Sequence, residues 1–459
     1  MIVEATPPEL IPIVGEQKVI RPVQYSNRNH QVNLGRYLIY WLGLWLTPVI
    51  SFGSGLIAIL GEGPIVRGFI SAVFFGCAGS LIVAGLTGYR FGYGVRVLTV
   101  PAVFFVLAYG FSLAVSVSSI ESLNADFAIP LFKVMLSVAV VFFVSEQDWN
   151  NPNLLLSHLV FGVVVLGFDL ALVLIGRGND QLVFGQMHEN SVALFGFIGV
   201  IFGFIGFFSS VTILHQVMSV FLAIEALLCV AMTRGRSVMI ALVVSGFVTW
   251  LLRRWEGSRA LRKMLIVFLA LICFAIPSVY TNLDTVHFFD DVDRLSESWF
   301  GKSLLTGRQK LWPIVLEDIY ERPWFGYGVE SRKRWEWQEL GSGATKLSAH
   351  NSYLTILHEA GIVGLVGFAV YIVAIWASLI RFPGSFQTRL CSGFFWAALL
   401  QQTFEVSLIN GDYRLAICIW SVVGCGLSFV DSYLEEPDEE IEETGNDMED
   451  ALFSESKLA

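Results

Sequence analysis

A histidine and an asparagine stand side by side at His350 and Asn351, where a polar stretch of the chain gives way to a long apolar one. An imidazole at such a boundary can accept or donate a proton near neutral pH, and the neighbouring carboxamide can orient the ring or a substrate. Apolar residues dominate from Tyr353 to Ile380, which is long enough to span a bilayer. The pair is therefore predicted to lie at a membrane interface.

Basic residues upstream of this pair have the chemistry to bind phosphate groups. Arg308 and Lys310 occur in the sequence TGRQK, and Arg322 precedes Pro323. A guanidinium binds phosphate oxygens in bidentate fashion and keeps its charge at any relevant pH. An isolated arginine in a polar loop is more often a solvated surface charge. Only the sequence pattern around these residues makes them candidates for binding phosphate.

Two more polar groups open apolar segments further upstream. Arg234 and Arg236 lie in MTRGRSVMIAL, and they are predicted either to bind an anionic ligand or to extend toward lipid phosphates. His188 and Asn190 lie in GQMHENSVALF, where they either contact a substrate or cap the start of a helix. The sequence alone leaves both alternatives open.

The composition places these residues in a membrane protein. Hydrophobic residues make up 55% of the 459 residues and charged residues only 15%, which does not describe a soluble globular chain. Much of the net charge of -10 comes from the C-terminal segment, which is predicted to be a disordered cytoplasmic tail. All six cysteines fall in apolar runs, so no disulfide framework or thiolate metal site is predicted.

Apolar segments long enough to cross a bilayer recur along the chain and predict about 12 transmembrane helices. Their approximate ranges are 37–60, 68–88, 97–119, 127–145, 154–175, 190–210, 213–232, 237–252, 264–280, 352–379, 390–409 and 414–430. Very short links at 211–212 and 233–236 predict tight helical hairpins, unless the segments are divided wrongly. Gly361 and Gly364 lie one turn apart, and small residues at that spacing allow a second helix to pack closely and fix the position of His350.

The distribution of Lys and Arg in short loops predicts the orientation. With the N-terminus in the cytoplasm, most of these residues fall on the cytoplasmic side. Those left in short outer loops are Arg67, Arg177, Arg234, Arg236 and Arg414. No leader with a basic start and a short apolar core is recognised, so the first spanning helix is expected to direct membrane insertion.

The predicted organisation has five parts in an all-α integral membrane protein with both termini in the cytoplasm. They are a cytoplasmic N-terminal segment (1–36), transmembrane helices 1–9 (37–280), an extracytoplasmic loop with short helices (281–350), transmembrane helices 10–12 (351–430) and an acidic tail (431–459). Ionisable residues inside spans usually face a bundle interior or an aqueous cavity. Four are ranked as weaker candidates: Lys133, Asp169, Glu225 and Glu405.

The order of the motifs resembles that of the O-antigen ligase and polymerase superfamily. TGRQKLW (306–312) and RPWFGYG (322–328) come first, the His-Asn pair follows, and Gly361 and Gly364 complete the pattern. The resemblance covers roughly the second half of the chain, whereas the first half is similar only in its hydropathy. The motifs do not separate ligases from polymerases.

The resemblance implies a GT-C-type helical bundle and an inverting glycosyltransferase that uses neither metal nor nucleotide. The donor would be a glycan on undecaprenyl diphosphate, and the acceptor a hydroxyl of lipid A core or of a growing polysaccharide. Arg308 and Arg234 would hold the diphosphate, with Arg236 as the alternative to Arg234, while His350 activates the acceptor. Further substrate contacts would come from Lys310, Arg322, Asn351, His188 and Asn190.

No Walker loop, dinucleotide fingerprint or Asp-rich metal motif occurs in the sequence, so no cofactor and no nucleic acid partner are predicted. The predicted location is the cytoplasmic (inner) membrane, with the active site on its outer side. Two other functional classes remain as alternatives. One is a flippase or permease for lipid-linked glycans, and the other is a scaffold that only binds them.

Overall fold

The residues that the computed structural model describes contain thirteen helices joined by turns, and every regular element among them is helical. The described residues are 34–58, 64–116, 127–176, 189–233, 235–255, 258–280, 294, 297–298, 308–328, 349–381, 384–409 and 413–434. The helices are α1 (Leu34–Ala58), α2 (Pro64–Leu86), α3 (Tyr93–Ser116), α4 (Ile129–Ser145), α5 (Pro152–Gly176), α6 (Glu189–Phe208), α7 (Ile213–Thr233), α8 (Arg236–Arg254), α9 (Arg259–Tyr280), α10 (Arg308–Glu321), α11 (Ser352–Arg381), α12 (Phe386–Gln401) and α13 (Tyr413–Leu434).

Eight of the described helices are long and apolar enough to cross a membrane. They are α2, α3, α5, α6, α7, α8, α11 and α13. Large apolar side chains such as Phe75, Val243 and Phe247 lie exposed on the bundle surface, as lipid-facing residues do. The predicted class of an all-helical polytopic membrane protein agrees with this architecture. The N-terminal segment to residue 33, most of the predicted loop 281–350 and the tail beyond residue 434 lie outside the described residues.

Close packing between α6 and α7 confirms the first of the two predicted hairpins. Four glycines of α6 face α7 or α5: Gly196, Gly199, Gly203 and Gly206. A Cβ atom on Gly203 would lie 3.0 Å from the carbonyl oxygen of Ser219, so glycine is what permits this approach. After the second short link the helices diverge, because α8 packs mainly on α12, where Gly393 lies against Ser245.

Helix α12 ends at Gln401, well before the predicted end of that span at residue 409. The side chain of Gln402 accounts for the ending, because its Oε1 accepts hydrogen bonds from Ser407 N (2.9 Å) and Ser352 Oγ (2.7 Å). The backbone carbonyl of Gln402 also accepts from Ser352 N at 2.9 Å. Residues 402–409 therefore form a non-helical turn that is fastened to the start of α11.

Helix α11 is broken at Gly361, whose φ of 60° and ψ of -164° lie outside the helical region. The prediction that Gly361 faces another helix was wrong, because the backbone of Trp324 and Phe325 fills that space. Only glycine adopts this conformation without strain. Further along α11, Gly367 does pack against a helix, lying beside Ala108 of α3.

The RPWFGYG segment supplies the backbone hydrogen bonds that the break removes. Tyr327 N and Gly328 N donate to the carbonyls of His358 (2.8 Å) and Glu359 (2.9 Å). On the other side of the break, Ile362 N donates to Pro323 O at 2.7 Å. Buried backbone groups need such partners, so residues 323–328 and the broken helix form one unit.

Candidate functional site

Glu405 is the point on which three predicted site residues converge. Asn190 Nδ2, at the start of α6, donates a hydrogen bond to Glu405 Oε1 at 2.7 Å. Arg308 Nη2 lies 4.0 Å from the same oxygen, and His350 Nδ1 lies 3.9 Å from Glu405 Oε2. We call Asn190, Arg308, His350 and Glu405 the Glu405 cluster. A cation, an imidazole and a carboxylate are thus brought together from elements that are distant in the sequence.

Arg308 is the first residue of α10, and its guanidinium is held by the turn that follows α12. Nη2 donates to the carbonyl oxygen of Phe404 at 2.7 Å, and the guanidinium carbon lies 5.9 Å from the centre of the Phe404 ring. The side chain keeps 14% of its surface exposed. Because the contact to Glu405 is long and partly exposed, the arginine retains charge with which to attract an anion.

His350 has a fixed backbone and a half-exposed side chain. Its φ of 46° is unusual for a residue with a Cβ atom, and such strain persists only where the surroundings determine it. The carbonyl of Ala349 accepts a hydrogen bond from Trp312 Nε1 at 2.7 Å, which anchors the preceding residue. The imidazole itself is 45% exposed, so a molecule bound at the surface can contact it.

Asn351 caps helix α11 and is fully buried. Its Oδ1 accepts from the backbone N–H groups of Tyr353 (2.9 Å) and Leu354 (3.0 Å), and its Nδ2 donates to Thr403 O at 3.1 Å. An N-cap of this kind stabilises a helix by roughly 1 kcal/mol. The predicted substrate contact does not fit this burial; the geometry instead makes Asn351 the residue that holds His350 in place.

Two other predicted arginines differ in how they lie relative to the Glu405 cluster. Arg322 directly follows the last residue of α10. At 1.5 Å per residue it lies about 20 Å along the helix axis from Arg308. Its guanidinium lies 4.6 Å from the ring centre of Tyr327. Arg322 is therefore not brought to the cluster. Arg236 begins α8 beside Gly235, which packs against Ala193, one turn from Asn190.

Three predicted positions cannot be placed at the site. Arg234 and His188 lie outside the described residues, and the same holds for the side chain of Lys310. Within the described part of the chain, no group of three or more His, Cys, Asp or Glu residues is arranged to hold a metal ion.

Glu405 lies at the centre of the cluster, although the sequence predicts it only as an ionisable residue inside a span. Its position in a turn could have been suspected from the polar run Gln401, Gln402 and Thr403 immediately before it. The other ranked acids lie elsewhere in the bundle, Asp169 on α5 and Glu225 on α7. A polar triplet within an apolar run thus marks where the helix gives way to a turn.

The motifs that carry the resemblance lie in a region of the chain that matches a known family. Residues 218–369 match the family model for O-antigen ligase. The resemblance found in the motifs is thereby confirmed over about a third of the chain. The matched region contains Arg308 and His350, whereas Asn190 and Glu405 lie outside it. No curated protein matches the chain.

Proposed function

We propose that the protein is a membrane glycosyltransferase of the O-antigen ligase type. It moves a glycan from an undecaprenyl-diphosphate carrier to an acceptor hydroxyl on the outer side of the cytoplasmic membrane. The observation that carries this proposal is the convergence of Arg308 and His350 on Glu405. These groups supply what such a transfer requires, namely a cation for the leaving diphosphate and a base for the acceptor hydroxyl.

The donor would be held through its diphosphate by Arg308. The guanidinium is fixed by Phe404 O at 2.7 Å but is only loosely paired with Glu405, so phosphate oxygens can compete for it. A second arginine, Arg234 or Arg236, would bind the other phosphate. Arg236 is the described one of the two, and its helix begins near Asn190 of the cluster.

Transfer would proceed by one displacement at the anomeric carbon. The acceptor oxygen attacks from the face opposite the diphosphate, the new glycosidic bond forms, and the bond from carbon to phosphate oxygen breaks with its electron pair on the leaving diphosphate. The hydroxyl proton passes to His350, and the configuration at the anomeric carbon is inverted. A base in this position contributes about 10² to 10⁴ in rate.

Glu405 would orient the His350 imidazole and stabilise its protonated form. The distance of 3.9 Å between Nδ1 and Oε2 is suited to a charge interaction once the ring carries a proton. Asn190 would keep the carboxylate in place through its 2.7 Å hydrogen bond. In this scheme neither a metal ion nor a nucleotide takes part, because the diphosphate already activates the donor.

The proposed topology has about 12 transmembrane helices in a GT-C-type bundle within the inner membrane, with both termini in the cytoplasm. The boundaries are those of the five parts defined from the sequence, with the loop 281–350 outside. The positive charges in the short loops support this orientation. The Glu405 cluster at the start of α11 would then face the outer side, where lipid-linked glycans are used.

The decisive experiment is transfer by the purified protein in nanodiscs, supplied with a lipid-diphosphate-linked glycan and a lipid A core acceptor. Product size and released lipid diphosphate are measured without nucleotide or divalent metal. A single added block indicates a ligase, and a ladder of products indicates a polymerase of the same superfamily. The absence of lipid diphosphate release, together with movement of intact donor across the bilayer, would replace the proposal with a flippase.

A further inference from the structure

Two side chains of helix α10 bond to the segment 349–358, which comprises the residues just before α11 and the first turns of that helix. The indole Nε1 of buried Trp312, one turn after Arg308, donates to the carbonyl oxygen of Ala349 at 2.7 Å. Further along α10, Asp318 Oδ2 lies 3.0 Å from His358 Nε2. The first contact fixes the residue next to His350, and the second fixes the C-terminal half of α10. These two attachments therefore help to set the position of Arg308 relative to His350.

The second attachment is enclosed. His358 is only 1% exposed, and Asp318 is 18% exposed. The ring of Tyr327 lies 5.5 Å from the imidazole of His358, and the adjacent Glu359 accepts a hydrogen bond from Tyr109 Oη at 3.1 Å. Removing one member of a buried imidazole–carboxylate pair leaves the other without compensation, which strongly disfavours the docked arrangement.

We propose that the His358–Asp318 pair is a positioning device that fixes the Arg308 guanidinium relative to the His350 imidazole. This inference rests on the proposed transfer reaction and adds two residues to it that do not touch substrate. The two attachments, at Trp312 and Asp318, are about 9 Å apart along α10 at 1.5 Å per residue. Without the pair, α10 keeps the Trp312 bond, its apolar packing on Leu354 and the backbone bonds of residues 323–328. It loses the side-chain contact that limits its rotation about its own axis, so the Arg308 guanidinium can be displaced.

The effect on the reaction follows from how strongly transfer depends on alignment. A displacement of about 1 Å in a group that positions a substrate can reduce the rate about 10²-fold. Loss of the pair should therefore lower kcat/KM for the lipid-diphosphate donor about 10- to 100-fold. Most of this loss should appear as a higher KM for the donor, because Arg308 is the residue that moves.

The test compares three variants of the full-length protein in nanodiscs. His358→Leu removes the hydrogen bond and keeps an apolar side chain of similar size. His358→Gln retains a donor that can bond to Asp318. His215→Leu is the matched control, because His215 is also buried in a membrane helix and also hydrogen-bonded, to Pro152 O at 3.0 Å, but it lies at the start of α7, outside the cluster.

Two measurements are made on each variant, the donor kinetics and the backbone hydrogen–deuterium exchange of residues 308–321. The expected result is a raised donor KM and faster exchange in His358→Leu, recovery to within about threefold in His358→Gln, and wild-type kinetics in His215→Leu. Wild-type KM and wild-type exchange in folded His358→Leu would overturn the inference, even if its thermal stability were reduced.

The exchange measurement separates this inference from the proposed function. If the wild-type protein transfers no glycan but His358→Leu still releases α10, the proposed function fails while the docking role of the pair stands. If the wild-type protein transfers glycan and all variants have its donor KM, the proposed function stands and the positioning role fails.

Discussion

Glu405 and Glu146 are carboxylates at opposite ends of the helical bundle, and they are held in different ways. Glu146, at the end of α4, accepts short hydrogen bonds from Gly92 N (2.9 Å) and Tyr89 Oη (3.0 Å), one on each oxygen. Among the described residues, the Glu405 carboxylate accepts a short hydrogen bond from Asn190 and faces Arg308 and His350 at 4.0 and 3.9 Å. The two carboxylates therefore differ in the length of their contacts and in the charge that their partners carry or can acquire.

This difference separates a carboxylate that stabilises the fold from one that is available to a reaction. Short bonds to a backbone amide and a hydroxyl satisfy Glu146 within the protein and tie α4 to the segment before α3. The longer contacts of Glu405 involve side chains that carry or can acquire a positive charge. Such contacts adjust when a ligand arrives, so the two ends of the bundle are expected to respond to mutation in opposite ways.

The largest effect is expected from removing the charged and titratable groups that Glu405 faces. Arg308→Ala and His350→Ala should each reduce transfer by about 10² to 10⁴, because one loses the diphosphate contact and the other the base. Arg308→Lys should recover part of the activity by restoring the charge without the bidentate geometry. Lipid diphosphate release is the measurement, and normal release at normal protein levels would refute the roles assigned to both residues.

The next effect tests Glu405 itself. Glu405→Gln keeps an oxygen that can accept from Asn190 but removes the negative charge beside His350 and Arg308. Transfer should fall about 10- to 100-fold through loss of orientation of the imidazole, with little change in thermal unfolding. If the variant lost stability and kept its activity per folded molecule, Glu405 would be a structural carboxylate like Glu146, and the comparison would fail.

The sequence predicted the membrane class and brought Arg308 and His350 together as candidates, because hydropathy and motif order are local properties. It did not place Glu405 at the site. The polar residues at 401–403 hint at an interruption, but Phe404, Val406, Leu408 and Ile409 keep the segment apolar enough to be taken as part of the span, whereas α12 ends at Gln401. The ending depends on hydrogen bonds between the side chain of Gln402 and residues from two different segments.

Contacts between distant parts of the chain could not be predicted from the sequence either. Asn190 and Glu405 are 215 positions apart, and their hydrogen bond exists only because α6 and the turn after α12 meet in the packed bundle. The strained φ of His350 likewise depends on both of its neighbours being fixed. Ala349 is bonded to Trp312, and Asn351 is bonded to Thr403. Spacing along the chain identified Gly361 but assigned it to helix packing rather than to a break.

A smaller effect, on the free energy of unfolding, is expected at the break in α11 at Gly361. Gly361→Ala places a Cβ atom at positive φ against the backbone of Trp324, and it should reduce the free energy of unfolding by about 1–3 kcal/mol. Gly246→Ala on α8 is the matched control, because among the described residues no atom outside its own helix lies within 4 Å of the place that the added methyl group would take. Equal unfolding midpoints for the two variants would show that the break contributes no stability.

The smallest effect is expected at the opposite end of the bundle, from the same chemical change that is made at Glu405. Glu146→Gln keeps an oxygen that can accept from Gly92 N, and its amide N–H can donate to Tyr89 Oη, so both bonds can form but neither is strengthened by a negative charge. The free energy of unfolding should fall by about 1 kcal/mol, while transfer per folded molecule is unchanged. Thermal unfolding and lipid diphosphate release, measured on the same preparation, distinguish the two effects. A loss of transfer without a loss of stability would mean that charge at this end also serves the reaction, and the division between the two ends would no longer hold.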